Sequence, residues 1–209
     1  MTTLPRFYPI LDIATLNRCG CPIAHAAEAL LNAGAKILQF RHKGHYTRAT
    51  LAEAEQIAAL CDEAGAMFVV NDRADIAILL DAAVHIGQDD LAPADVRRLI
   101  GPARVLGYST HNESQLLAAT KEPADYLAIG PIFSTGSKEN PDPVVGLEEL
   151  RRLRAIVSCP LVAIGGVTLD SAPSLYAAGA DSLAVIGALF APPCTPAAIR
   201  DRAELWLHL

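Results

Sequence analysis

The sequence predicts an α/β fold, a (β/α)8 TIM barrel, because short apolar runs alternate with helical segments through eight cycles along one chain. The composition supports this fold. Hydrophobic residues form 52% of the chain and aromatic residues only 5%, so Ala, Leu, Ile and Val must fill the core, as they do where helices cover a buried parallel sheet. With 209 residues, one barrel domain over residues 1–209 is expected. A doubly wound open sheet is the rival fold, but it rarely needs eight regular cycles.

The eight predicted strands are short runs in which aliphatic or aromatic residues predominate. Such runs are typical of parallel strands that are buried on both faces. They cover residues 7–13, 36–40, 67–71, 83–86, 104–108, 126–129, 161–164 and 182–186.

The segments between these strands space their apolar residues as helices do. Gly34 and Gly65 stand where the first two helices should stop, and Pro93 opens another at a position where its missing N–H costs nothing. The predicted helices cover residues 22–33, 50–64, 75–80, a segment from 93, 113–120, 146–157, 170–178 and 196–207.

The charge and hydropathy of the chain argue against two classes of partner. The net charge of −6 offers no basic footprint for a nucleic acid. No stretch approaches the ~18 uninterrupted apolar residues that span a membrane. The apolar run within residues 1–12 is too short for a signal peptide, and Asp12 interrupts it. We therefore expect a cytoplasmic protein with neither a nucleic-acid nor a membrane partner, and a homo-oligomer is compatible with the sequence.

The five cysteines are expected to be reduced thiols, because their number is odd and no signal peptide precedes them. Cys19 and Cys21, with His25 nearby, could form half of a metal site, but the sequence shows no matching second half. A loop with incidental thiols is the favoured interpretation.

Polar and charged side chains follow the predicted strands at the points where the strands end. Because barrel active sites lie at the carboxyl ends of the strands, these side chains are expected to meet on one rim. They are Gln39, Arg41 and Lys43 from the second strand, Asn71 and Asp72 from the third, Asp90 from the fourth, Ser109 from the fifth, and Thr135, Ser137 and Lys138 from the sixth.

Asp72 and Asp90 are the candidate metal ligands. Mg²⁺ is commonly held by one or two carboxylates together with substrate phosphate oxygens. Two aspartates alone could equally cap helices. Cations on neighbouring strand ends favour the metal interpretation, because three cations and a metal match the charge of a diphosphate. A structural salt-bridge network on the rim is the alternative.

Glycines follow the last two strands. Gly165 and Gly166 come after the seventh strand and Gly187 after the eighth, where barrels often bind a monophosphate on backbone N–H groups. A glycine pair also suits a tight turn. Two separate phosphate sites would indicate two phosphorylated substrates.

The histidines do not form a nucleophilic constellation with Ser, Asp or Cys. His85 is interpreted as a packed residue at the barrel lip rather than a base, and His42 and His45 as solvated. His111 is close to Ser109 and is a weak candidate for a substrate contact.

Five segments of the chain resemble the thiamine-phosphate synthase family, and the resemblance runs from about Tyr8 to Leu189. They are residues 39–43, 70–73, 85–90, 130–138 and 163–167. The resemblance implies a transferase of thiamine biosynthesis on a TIM barrel. Such enzymes condense 4-amino-2-methyl-5-(diphosphooxymethyl)pyrimidine with a thiazole phosphate, through a pyrimidine cation, to give thiamine phosphate and pyrophosphate.

The resemblance also implies a role for each of the matching site residues. Mg²⁺ would be ligated by Asp72 and Asp90. The diphosphate would be held by Arg41, Lys43, Asn71 and Lys138, and the catalytic cations among these would be Arg41, Lys43 and Lys138. The pyrimidine would be contacted by Gln39 and Ser109. The thiazole phosphate would be framed by Thr135, Gly136, Ser137, Gly166, Ile186 and Gly187.

The chain departs from the family pattern at a few positions. Ser137 replaces a usual threonine and Gly187 a usual serine, so any side-chain hydroxyl contact at position 187 is lost. Two other functions stay open at this point. One is a thiazole tautomerase of the same barrel, which needs neither diphosphate nor metal. The other is a non-catalytic phosphate-binding relative.

Overall fold

The structure is a computed structural model that describes residues 3–135 and 142–209. Within these residues, eight parallel strands run in sequential order around a closed barrel, and β1 pairs with β8. The predicted (β/α)8 fold is confirmed, because an open doubly wound sheet would leave its edge strands unpaired. None of the helices described is both long enough and apolar enough to cross a membrane.

The strands and helices alternate as the sequence predicts, with one additional helix. The strands are β1 (Phe7–Asp12), β2 (Ile37–Arg41), β3 (Met67–Asn71), β4 (Ala83–Ile86), β5 (Leu106–Thr110), β6 (Tyr126–Ile129), β7 (Leu161–Ile164) and β8 (Ser182–Val185). The helices are α1 (Ile13–Cys19), α2 (Ile23–Ala33), α3 (Arg48–Glu63), α4 (Ala74–Leu79), α5 (Pro93–Ile100), α6 (Glu113–Ala119), α7 (Leu147–Arg154), α8 (Ala172–Ala177) and α9 (Pro196–Leu207).

Helix α1 is not anticipated by the sequence analysis. Asp12 ends β1 and caps this helix, because its side chain accepts a hydrogen bond from the Thr15 N–H at 3.0 Å. Gly20 ends the helix in the left-handed region, at φ 69°. A helix this short shows too little apolar periodicity to be recognised in sequence.

Strand β5 begins two residues later than predicted. Arg104 is not in the strand; its guanidinium donates to the Ile100 carbonyl and pairs with Asp81. At its other end the strand extends to Thr110, so Ser109 lies within it rather than after it.

Side chains of each strand alternate between two cores. Phe7 and Leu11 of β1 face the helical layer, where the Phe7 ring stacks on Trp206 of α9 at 5.8 Å. Tyr8 and Ile10 point into the barrel, where they pack with interior residues of the other strands. Because side chains two residues apart share a face, this alternation places the polar residues near the strand ends above an apolar interior floor.

Candidate active site

A cavity of about 600 Å³ opens at the carboxyl ends of the strands. Its walls include most of the residues predicted from the strand ends: Gln39, Arg41, Lys43, Asn71, Asp72, Ser109, Thr135, Gly166, Ile186 and Gly187. Asp90 is joined to the lining residue Gly87, whose N–H donates to the Asp90 carboxylate at 2.7 Å. The predicted residues Gly136, Ser137 and Lys138 lie outside the described residues.

Lys43 and Asp72 form an ion pair on the rim, with Nζ and Oδ2 2.5 Å apart. Asp72 has a φ of 64°, in the left-handed region that few residues other than glycine adopt, although Asp and Asn tolerate it best. Its backbone N–H donates to the His85 carbonyl at 2.8 Å. Left-handed residues of this kind cluster at functional sites, and here the conformation is anchored on the neighbouring strand.

Asp72 and Asp90 lie close enough to interact. Burial raises the pKa of the Asp90 carboxyl above its ordinary value, and the neighbouring Asp72 carboxylate raises this pKa further, whereas the Gly87 N–H opposes the shift. Two adjacent carboxylates repel each other unless a proton or a cation is shared between them. Across the described part of the chain, no group of three or more His, Cys, Asp or Glu side chains is arranged to hold a metal. A pair of carboxylates fits Mg²⁺, which usually takes its other ligands from phosphates and water.

Arg41 is held by Asp12, a buried residue that the sequence analysis did not select. The Arg41 guanidinium pairs with one carboxylate oxygen of Asp12, and the other oxygen accepts from Thr15 Oγ1 at 2.6 Å. Thr15 Oγ1 in turn accepts from the Arg18 guanidinium at 2.9 Å. A signal for Asp12 exists in the sequence, because it ends an apolar strand just as Asp72 follows one.

Asn71 presents an unused donor to the cavity. The residue is buried, and its Nδ2 has no hydrogen-bond partner among the described residues. A buried N–H without an acceptor costs free energy, so such a group in a cavity wall is suited to binding a ligand oxygen.

Gly165 and Gly166 have left-handed φ values of 94° and 66° and lie against the loop that follows β6. A Cβ on Gly166 would come within 2.5 Å of the Ser134 carbonyl oxygen. The loop is fixed there by backbone bonds, including one from the Phe133 N–H to the Gly165 carbonyl at 3.0 Å. These glycines therefore allow the β6 loop, which carries Thr135, to pack on the end of β7.

A chain of hydrogen bonds runs beneath the cavity. Gln39 Nε2 donates to Tyr8 Oη at 3.0 Å, and Tyr8 Oη and Tyr126 Oη are 2.9 Å apart. His85 Nδ1 lies 2.9 Å from Tyr126 Oη, and its Nε2 lies 2.8 Å from Ser109 Oγ. Burial lowers the pKa of His85 to about 4, so its imidazole is neutral near pH 7.

Histidines of the chain take part in the following local contacts. His85 is an interior residue of the barrel rather than a residue of its lip. His111 lines the cavity and bonds through Nδ1 to the Gly130 carbonyl at 2.7 Å. His42 Nε2 lies 3.2 Å from the His45 carbonyl.

The thiols of Cys19 and Cys21 have a third thiol beside them. Burial, together with the neighbouring Cys19 and Cys21 thiols, raises the pKa of Cys194 to about 12. The structure thus brings a partner from the loop before α9 that the sequence did not reveal. Among the described residues, these three thiols do not form a group arranged to hold a metal ion.

Comparison with known proteins gives concordant matches. The family model described as thiamine monophosphate synthase matches residues 7–189. The thiamine-phosphate synthase of Koribacter versatilis is 45% identical over 99% of this chain and 96% of the relative. That of Chloroflexus aurantiacus is 43% identical over 96% of this chain and 92% of the relative. A solved structure, the thiamine phosphate pyrophosphorylase from Pyrococcus furiosus, is similar at a TM-score of 0.81 and 31% identity, over 97% of this chain and 96% of that one.

Proposed function

Because the chain belongs to the thiamine-phosphate synthase family, we propose that the cavity at the strand ends is its active site. The enzyme is a transferase of thiamine biosynthesis that condenses a pyrimidine diphosphate with a thiazole phosphate to give thiamine phosphate and pyrophosphate. The observation that carries the assignment of the site is the juxtaposition of Lys43, Asp72 and Asp90 on one side of the cavity.

The diphosphate would bind at the ends of β2 and β3. Arg41, oriented by Asp12, and Lys43 supply two positive charges there, and Asn71 supplies an amide donor that has no partner among the residues described. Charge-assisted hydrogen bonds to phosphate oxygens are about twice as strong as neutral ones. Lys138, outside the described residues, is proposed as the third cation.

Asp72 and Asp90 are the residues that would hold Mg²⁺. Bound there, the metal would neutralise negative charge on the diphosphate as it leaves. The mutual repulsion of these two carboxylates favours binding of a cation.

The pyrimidine would lie deeper in the cavity, against Gln39 and Ser109. Both side chains line the cavity and both belong to the hydrogen-bonded chain below it. Ala128 and Val162 add apolar surface at the same depth. A flat heterocycle with polar edges suits such a floor.

The thiazole phosphate would bind on the opposite side, near the ends of β7 and β8. Gly166, Ile186 and Gly187 line this wall, and Thr135 comes from the β6 loop that packs on it. Gly136 and Ser137 are proposed to extend the same wall. Arg18 of α1 also lines the cavity and is a further candidate for contact with this phosphate.

The proposed chemistry is dissociative. The C–O bond between the pyrimidine methylene and the diphosphate breaks, and its electron pair leaves with the diphosphate, whose charge Arg41, Lys43 and Lys138 stabilise. The thiazole nitrogen then donates its lone pair to the methylene carbon of the pyrimidine cation, forming the new C–N bond. No protein nucleophile takes part in this sequence of steps. His85 has both ring nitrogens committed to hydroxyl groups, so it is not poised as a base.

The proposal is tested by incubating the purified protein with each substrate alone and with both, and separating the products by chromatography. Thiamine phosphate should form only when both substrates and Mg²⁺ are present. Interconversion of thiazole forms without the pyrimidine diphosphate, and without product, would instead identify a tautomerase. Binding of both substrates without turnover would identify a non-catalytic relative.

A further inference from the structure

The hydrogen-bonded chain under the cavity crosses the barrel, because its two central links join strands that are not neighbours. Gln39 is on β2, Tyr8 on β1, Tyr126 on β6, His85 on β4 and Ser109 on β5. Strands β1 and β6 are not neighbours, so the two phenols meet across the interior. Four of these five residues are buried, Ser109 being the exception. Both end residues line the cavity, and so do Tyr8 and His85, whereas Tyr126 lies below its lining.

Gly107 makes room for the centre of this chain. A Cβ at this position of β5 would come within 2.3 Å of Tyr126 Oη and 2.5 Å of His85 Nδ1. Any larger residue would push these two groups apart. The His85 and Tyr126 rings also stack with their centroids 5.5 Å apart, which sets their relative orientation. Strand β5 therefore lacks a side chain just where the phenol meets the imidazole.

The hydrogens in the chain must all point the same way. Each phenol has two partners and one hydrogen, so it donates to one partner and accepts from the other. A neutral imidazole likewise donates from one nitrogen and accepts at the other. Since Gln39 Nε2 donates to Tyr8, Tyr8 donates to Tyr126, Tyr126 to His85 Nδ1, and His85 Nε2 to Ser109.

The two ends consequently offer opposite hydrogen-bonding groups to the cavity. Gln39 has its carbonyl oxygen left as an acceptor, whereas Ser109, which accepts from His85, has its own hydrogen left to donate. Reversing one end requires every member of the chain to reverse. A ligand that needs the opposite pattern must reverse the whole chain or leave a buried polar group unpaired.

We propose that Tyr8, Tyr126 and His85 are positioning residues that set this polarity and thereby select a 4-aminopyrimidine over a 4-oxopyrimidine. An aminopyrimidine edge carries an N–H donor beside a ring-nitrogen acceptor, which complements the acceptor of Gln39 and the donor of Ser109. A 4-oxopyrimidine presents the reverse pattern, a carbonyl acceptor beside a ring N–H. The inference rests on the proposed function, because it takes Gln39 and Ser109 to face the pyrimidine.

The test compares kcat/KM for the 4-aminopyrimidine diphosphate and for its 4-oxo analogue. The wild-type enzyme should prefer the amino substrate by at least about a hundredfold, since sites that hydrogen-bond a substrate reject analogues with mismatched groups. Tyr126→Phe divides the chain into two halves that can reverse independently, so this preference should fall by about tenfold or more. Tyr176→Phe removes a hydroxyl hydrogen bond on α8, far from the cavity, and should keep the wild-type preference.

A second variant keeps the test decisive if Tyr126→Phe does not fold. Tyr8→Phe cuts the same chain nearer to Gln39 and should also reduce the preference for the amino substrate. An unchanged preference in a folded Tyr126→Phe or Tyr8→Phe variant would overturn the inference. If the wild type itself produces no thiamine phosphate, the proposed function fails instead, so the two failures can be told apart.

The direction of the chain can also be measured without turnover. Nitrogen-15 NMR of histidine-labelled protein, with the His85 signals assigned by their loss in His85→Gln, distinguishes a protonated from an unprotonated ring nitrogen. We expect the hydrogen on Nε2 and a bare Nδ1 at neutral pH. A hydrogen on Nδ1 would mean the opposite polarity and would refute the proposal.

Discussion

Lys43 pairs with Asp72 across the ends of β2 and β3 although the lysine side chain is 56% exposed and the aspartate side chain 17% exposed. An ion pair this open to water contributes only about 0–1 kcal/mol to stability. Lys43 can therefore turn towards a phosphate oxygen at little cost. This pair therefore keeps the Lys43 charge available for a ligand and contributes little to holding the barrel together.

Lys43→Met should lower kcat/KM about a hundredfold, because a cation that stabilises the leaving diphosphate is lost. The melting temperature should change little. Lys36→Met is the matched control, since the Lys36 ammonium donates to the Ala64 carbonyl and to no other described group, at the opposite end of β2. Steady-state kinetics and thermal melting of both variants check this. Equal activity in the two variants would remove Lys43 from the diphosphate site.

Asp12→Asn should weaken both the fold and the binding of pyrophosphate. Asp12 is buried and paired with Arg41, and loss of one partner of a buried pair costs about 3 kcal/mol. Asparagine keeps an oxygen to cap α1. Denaturant unfolding and pyrophosphate inhibition measure the two effects.

The control is Asp95→Asn, which breaks the exposed pair with Arg98 and should change the free energy of unfolding by less than about 0.5 kcal/mol. Wild-type inhibition by pyrophosphate in Asp12→Asn would contradict the orienting role.

Alanine at Gly166 should destabilise the fold and weaken thiazole binding, whereas alanine at Gly187 should leave the stability unchanged. Gly166 has φ 66° and its Cβ would meet the Ser134 carbonyl oxygen at 2.5 Å, so Gly166→Ala should cost about 1–3 kcal/mol and raise KM for the thiazole phosphate. A Cβ on Gly187 meets nothing within 4 Å, so Gly187→Ala should leave stability unchanged. Gly187→Ser should lower KM for the thiazole phosphate by supplying a hydroxyl. If KM for the thiazole phosphate rose in Gly187→Ala but not in Gly166→Ala, this assignment of the wall would be contradicted.

Burial of His85 should make the fold sensitive to mild acid. Its pKa is lowered from 6.5 to about 4, with Asp72 and Lys43 acting on it in opposite directions. Between these values the unfolded chain binds a proton that the folded chain does not, so the free energy of unfolding should fall as pH falls from about 6.5 to about 4. The full loss amounts to about 3 kcal/mol. The free energy of unfolding, measured at several pH values across this range, should depend less on pH in His85→Gln than in the wild type. The same pH dependence in both proteins would show that His85 does not contribute to it.

The strand ends could be predicted from the sequence because one geometric rule governs them. Parallel strands in a barrel end on the same rim, so Lys43 and Asp72, 29 residues apart in sequence, were expected to meet and do so. Ser109 also faces the cavity as expected, although it lies within β5 rather than after it.

The interior contacts could not be predicted in the same way. Tyr8 and Tyr126 are 118 residues apart, and each lies in a largely apolar strand. The sequence of such a strand does not show whether a tyrosine hydroxyl has a hydrogen-bond partner inside the barrel. Their meeting depends on the diameter of the barrel, which leaves no local signal in the sequence. Gly107, a glycine inside a strand, indicates a close approach to β5 but does not show which side chains make it. Helix α1 was missed because its start depends on the capping side chain of Asp12 rather than on periodicity.

The most direct test of this account measures pyrophosphate and thiamine phosphate together in one reaction, with and without Mg²⁺, for the wild type and for Asp90→Ala. We predict one pyrophosphate released for each thiamine phosphate formed, only with both substrates and Mg²⁺ present, and no turnover by a folded Asp90→Ala variant. Pyrophosphate release that is independent of Mg²⁺, or full activity of Asp90→Ala, would contradict the role given to the two carboxylates.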